Sequence, residues 1–157
     1  MKPKAGLKWG AYLVHLTHYD PVWVLNKKKE KPFDLDVAHR IVDRIADSGF
    51  NMLMIGVSDS VVYRSHPELR RHYSRPMPDL KELADHAHER GLEVVPKLNF
   101  SKSEINCHDY WTREAGEVWH KKFDDAAYWK VGFDCIDEVI ATCRPQRFFH
   151  TGLEEDH

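Results

Sequence analysis

The 157-residue chain has no apolar run approaching the roughly 20 residues that cross a bilayer, and its opening MKPKAGLKWG has no apolar core of a secretory signal. A membrane partner is therefore not expected, and the sequence reads as cytoplasmic. It has no excess of one charge: 23 basic against 25 acidic residues give a formal net charge of -2, which argues against nucleic acid or any other polyanion as the partner. Only three cysteines are present, Cys107, Cys135 and Cys143, with no CxxC pair and one thiol left over from any disulfide scheme, so they read as reduced structural thiols. No internal repeat, Gly/Ser-rich linker or shift in composition divides the chain, which is treated as one domain or domain fragment over 1–157. The run Lys27-Lys28-Lys29-Glu30-Lys31 reads as a solvated turn. What the chain does have is 42% hydrophobic residues, enough for one core, together with 11 His and 5 Trp.

Three segments carry helical spacing. Over 35–48 the residues Ala38, Ile41, Val42 and Ile45 form a stripe, with Asp34 as N-cap and Gly49 as the stop. Over 79–90 the stripe is Leu80, Leu83, Ala84 and Ala87, preceded by Pro78 and closed by Gly91. Over 125–143 it runs through Tyr128, Gly132, Cys135, Ile136, Val139, Ile140 and Cys143, with Pro145 beyond; the two cysteines on it read as core packing. Between the helices lie β-rich runs at 11–17, 51–58, 92–98 and 147–152, apolar on both parities as parallel strands covered on both faces should be. The order βαβαβαβ predicts a parallel sheet in order 1-2-3-4 with its helices on one side. This is an α/β fold of the (β/α)8 type limited to its first four strands, since a full barrel takes about 250 residues. Such a half barrel would leave open strand edges, so self-association through them is expected, with little activity from the chain alone.

The links from strand to helix are long and the links from helix to strand are minimal, so all the elaboration falls at the carboxyl ends of the strands, where α/β folds build their sites. His18, His66, His72, His108 and His120 lie in those loops with Trp23, Trp111 and Trp119. Loop tryptophans usually cover something, a sugar ring included. The C-terminal stretch His150-Thr151-Gly152-Leu153-Glu154-Glu155 carries the most chemistry. On a regular strand His150, Gly152 and Glu154 share a face, and adjacent carboxylates at a strand end can divide into an acid and a stabiliser.

Phe149 to Glu155 (FHTGLEE) resembles the H-x-G-G-D-E signature that ends strand four in the family 20 glycoside hydrolases, the β-N-acetylhexosaminidases. The stretch DLKELADHAHERGLEVVPKLN (79–99) is similar to that family's second helix and third strand. Residues 51–59 are similar to its second strand with an Asp-bearing turn, and YRSHPEL (63–69) to the stretch after it. The resemblance implies a carbohydrate substrate and a substrate-assisted reaction without a cofactor, in which the 2-acetamido oxygen attacks its own anomeric carbon. It implies Glu155 as general acid and Glu154 as the carboxylate that orients the acetamido group. His150, Asp59, Asn99, Trp111, Trp119 and His18 are the candidates for holding the sugar. The chain departs from the pattern at Glu154 (Asp in the family), Leu153 (Gly), Lys97 (Glu) and Phe100-Ser101-Lys102 (Pro-Gly-His), and Lys8 is the basic residue nearest strand one.

Two other readings compete. A divalent-metal barrel would draw on His15, His18, Asp20, Asp59, His150, Glu154 and Glu155, although His15 and His18, three apart, point to opposite faces of a regular strand. A non-catalytic carbohydrate-binding or structural fragment would use Trp23, Trp111 and Trp119 to stack on sugars or to cover the barrel mouth.

Overall fold

A computed structural model of the chain describes residues 8–17, 29–98 and 126–152. Strand β1 (Ala11–His15) leads to helix α1 (Leu35–Asp47), where the Asp34 carboxylate accepts the Val37 amide at 3.0 Å and Ala38, Val42 and Ile45 are buried. The helix stops where Gly49 takes a φ of 85°, a conformation that costs glycine little. Strand β2 (Met52–Gly56) follows, then helix α2 (Met77–Glu89), strand β5 (Glu93–Lys97) and helix α3 (Ala126–Cys143). All three helices fall where the periodicity places them. Helix α2 starts two residues earlier than expected because Pro78 is accommodated within its first turn.

Strands β1, β2 and β5 form one parallel sheet in that order. Their helix-facing side chains Val14, Leu16, Leu53 and Ile55 meet Ala38, Ile41 and Val42 of α1 and Leu83 of α2. Helix α1 packs on α2 and α2 on α3, so the described helices form one layer beside the sheet. Cys135 and Cys143 lie buried in this layer as free thiols; burial pushes Cys143 up to about 12 and Cys135 higher still, so both act as packing groups.

Three features depart from the sequence reading. First, β1 is not covered on both faces: Tyr12 is 48% and Leu13 37% exposed, while β2 and β5 are almost wholly buried. Second, the link from β2 to α2 contains two short strands, β3 (Val61–Val62) and β4 (Arg75–Pro76), paired in parallel as a separate small sheet. Third, the fourth strand is a single bridge. His150 donates its amide to Pro96 and accepts from Leu98, at 3.0 and 3.1 Å, which places it beside β5 in the expected position.

The ladder fails to start earlier because the Glu93 carboxylate, 4% exposed, takes the amides of Gln146 and Arg147 at 3.1 and 3.0 Å. It does not continue as regular strand because Gly152 takes a φ of 58°. Glu154, which the parity argument put on one face with His150 and Gly152, lies outside the described residues. Among the described residues no helix is long and apolar enough to cross a membrane.

Candidate active site

Registered partners in a parallel sheet share a face, and the register aligns His15 with Gly56, Gly56 with Lys97, and Lys97 with His150. These four residues form a row across the carboxyl ends of the strands, on the face away from the helices. The His15 ring leans over Gly56: a Cβ on Gly56 would lie 2.6 Å from His15 Nδ1, so only glycine leaves the imidazole this place. Lys97 is 6% exposed. At the row's end the Gly152 amide donates to His150 Nδ1 at 2.9 Å, which makes Nε2 the N–H of the neutral ring.

Asp59 lies just past the end of β2, 1% exposed, in a turn where Ser58 takes a φ of 44°. The Tyr73 phenol donates to its Oδ2, Arg71 Nε stands 3.9 Å from the same oxygen, and Ser74 Oγ donates to its backbone carbonyl at 2.7 Å. Tyr63 donates to the Ser58 carbonyl at 2.6 Å. The carboxylate thus ties the two limbs of the β2–α2 excursion together just past the end of β2.

Helix α3 holds that excursion from outside. Glu138 accepts the Arg64 amide at 2.7 Å and both the amide and the hydroxyl of Ser65, at 3.0 and 2.7 Å. His66 bridges two carboxylates, Nδ1 to Glu68 at 2.8 Å and Nε2 to Asp134 at 3.0 Å. Burial pushes the Glu138 carboxyl up, but the two backbone amides and the Ser65 hydroxyl outweigh it, and the group ends below its ordinary value of 4.5. A carboxyl depressed in the folded state contributes stability that is complete above that ordinary value and is lost as the pH falls through the folded one. The protection factors of the Arg64 and Ser65 amides, corrected for the pH dependence of intrinsic exchange, are therefore expected to fall on going from pH 6 to about pH 3. In Glu138→Gln they should already be low at pH 6, and equal protection in both proteins at pH 6 would refute the clamp.

Of the candidate residues, the structure places His150 in the row and Asp59, buried, in the turn that follows β2. Glu154, Glu155, Asn99, Trp111, Trp119 and His18 lie outside the described residues. Among the described residues no three of His, Cys, Asp and Glu are arranged to hold a metal ion. Reading the sequence for motifs did not single out Lys97 as a site residue, and it gave His15 only to the metal reading. The available signal was positional, since His15, Gly56 and Lys97 each close a strand of five residues.

No protein-family model matches the chain, and no curated protein does. Solved structures do. The chain is similar to the Streptomyces plicatus N-acetyl-β-hexosaminidase held with thio-NAglucal, at a TM-score of 0.68 and 18% identity, over 92% of this chain and 32% of that one. Similarity to the family 20 β-N-acetylhexosaminidase of Streptomyces coelicolor has the same values. With the Flavobacterium johnsoniae chitobiase the TM-score is 0.70 at 17% identity, over 94% of this chain and 24% of that one. The fold is thus α/β with a parallel sheet, shared with part of the family 20 hexosaminidase structure. The chain spans about a third of the length of the first of these structures.

Proposed function

We propose that residues 1–157 form the N-terminal half of a glycoside-hydrolase barrel that acts on or binds a carbohydrate, an N-acetylhexosaminide foremost. The observation that carries this reading is the likeness to hexosaminidases over 92% of the chain, together with the placement of His150 beside the end of β5. A variant of the S. plicatus enzyme is held with its product N-acetylglucosamine, which supports the choice of sugar. In the proposed reaction Glu155 protonates the leaving oxygen, and Glu154 orients the 2-acetamido group as its oxygen attacks the anomeric carbon. His150, Asn99, His18, Trp111 and Trp119 hold the sugar, and Asp59 contributes by fixing the turn after β2. No cofactor takes part. The alternative that the same fold supports is a domain that binds the sugar without cleaving it.

The test is incubation of the chain with a chromogenic N-acetylglucosaminide. Binding of N-acetylglucosamine is expected, with little or no release from these four strands alone. Clear release would contradict the expectation of an inactive half barrel, and neither binding nor release would refute the reading. Loss of activity to a chelator, restored by added metal, would favour the metal barrel instead. Self-association through the exposed edge at Tyr12 and Leu13 belongs to the same proposal. Sedimentation is expected to show dimers at high concentration, and a monomer there would contradict it.

A further inference from the structure

We propose that His66 is a proton-gated latch between the β2–α2 excursion and helix α3, closed while its ring carries two protons and released from α3 when one is lost to solvent. The ring stands between two carboxylates, with Nδ1 2.8 Å from Glu68 on its own turn and Nε2 3.0 Å from Asp134 on α3. A carboxylate can only accept, so each contact needs an N–H, and a neutral imidazole has one N–H for its two nitrogens. With a single proton on the ring, the bare nitrogen would meet a carboxylate oxygen lone pair to lone pair. The closed bridge is therefore an imidazolium as long as both carboxyls are ionised. Lys130 and then His66 hold the Asp134 carboxyl below its ordinary value of 3.8. At Glu68 burial pushes the carboxyl up, but its own backbone amide and the His66 ring outweigh it, and the group ends below 4.5.

The two carboxylates are not equal partners. Asp134 also takes Lys130 Nζ at 2.6 Å, so it keeps a cation when the ring turns neutral, whereas among the described residues no second cation bridges to Glu68. The one remaining proton thus serves best on Nδ1, toward a carboxylate two residues away, and the arm to α3 is the one that opens. Arg64, Lys81, Asp137 and Glu138 border Asp134 along one groove, and none of them bonds to the ring. Glu138 is committed to the Arg64 and Ser65 amides and the Ser65 hydroxyl, so it offers the ring no substitute. That clamp fails on the acid side and the latch on the alkaline side. The excursion, which carries Asp59 and Tyr73, is held by both only between.

The experiment follows the His66 ring nitrogens and the backbone amides of the 157-residue chain by nuclear magnetic resonance, from about pH 5.5 to about pH 9, a span that brackets the ordinary imidazole titration. At the acid end both nitrogens are expected to be protonated, with the ring in contact with Asp134. At the alkaline end the proton should remain on Nδ1 alone and the contact with Asp134 should be lost. Amide shifts at Ser65, Glu68 and Asp134 should move along the ring's own titration curve. Two variants, both at partly exposed positions, are expected to keep the latch shut throughout. In Asp134→Asn the carboxamide can accept from an N–H or donate to a bare nitrogen, so the contact survives loss of the proton. In Glu68→Gln the carboxamide can donate to a bare Nδ1, so the single proton moves to Nε2 and keeps Asp134. A ring with one proton at the acid end would overturn the inference. So would a proton on Nε2 at the alkaline end with the Asp134 contact kept in the unmodified chain, or the same opening in Asp134→Asn. None of these readouts involves a sugar, so the carbohydrate reading stands or falls separately.

Discussion

In a protein carrying the complete barrel, Glu155→Gln is expected to lower release of N-acetylglucosamine from an unactivated N-acetylglucosaminide by about 10²–10⁴-fold, while leaving sugar affinity within a few-fold. The amide keeps the size and polarity of the acid but has no proton to give the leaving oxygen, so the loss falls on the chemical step. A leaving group that departs without protonation, such as a dinitrophenolate, should therefore be spared much of the loss. Glu154→Gln should behave differently. If that carboxylate orients the acetamido group, its loss slows good and poor leaving groups alike. Parallel turnover measurements on both variants with both substrates check the assignment. Unchanged turnover in Glu155→Gln would remove that residue from the mechanism, and equal losses on the two substrates would remove it from the role of acid.

The second large effect falls on stability. Glu93 opens β5 and its buried carboxylate receives the amides of Gln146 and Arg147 together with Arg147 Nε at 3.3 Å. Glu93→Ala leaves two backbone donors in partly buried positions without their acceptor, at a cost of about 2–4 kcal/mol. The Arg147 guanidinium is half exposed and adds little to that figure. Glu93→Gln keeps one acceptor oxygen and should lose roughly half as much. Chemical denaturation reads both, as a shift in midpoint at constant slope. The displacement should also reach the site, because the segment released leads directly to His150. A Glu93→Ala protein as stable as the unmodified chain would show that the clamp does not set the position of the last segment.

The helices were legible because each carries its signal locally. Asp34 caps α1 as its side chain suggests, and Gly49 and Gly91 close α1 and α2 with φ of 85° and 79°. Strands β3 and β4 were not, since two residues hold no periodicity and Val61–Val62 meets Arg75–Pro76 only through the folding back of the excursion. The exposure of β1 was hidden for a related reason: an edge strand and a central one share the same apolar composition, and position in the sheet decides which is covered. Strand four was misjudged in its extent because the competitor for its backbone, the Glu93 side chain, lies more than 50 residues away in sequence.

The candidate site divides along the same line. His150 stood in a recognisable stretch, and the turn at Asp59 resembled a known one. Lys97 and His15 acquire meaning only from register, which places them in one row with Gly56 between. Glu138 and His66, on the outer side, serve the site only through the loop they hold.

The most direct test of the central claim, that the strand-end row is a sugar site, is a nuclear magnetic resonance titration of the 157-residue chain with N-acetylglucosamine. Saturable shifts are predicted at His15, Gly56, Lys97 and His150 and at the Asp59 turn, with the opposite ends of the same strands, Ala11, Met52 and Glu93, unmoved. Shifts confined to residues of α2 and α3, or none at millimolar sugar, would contradict it.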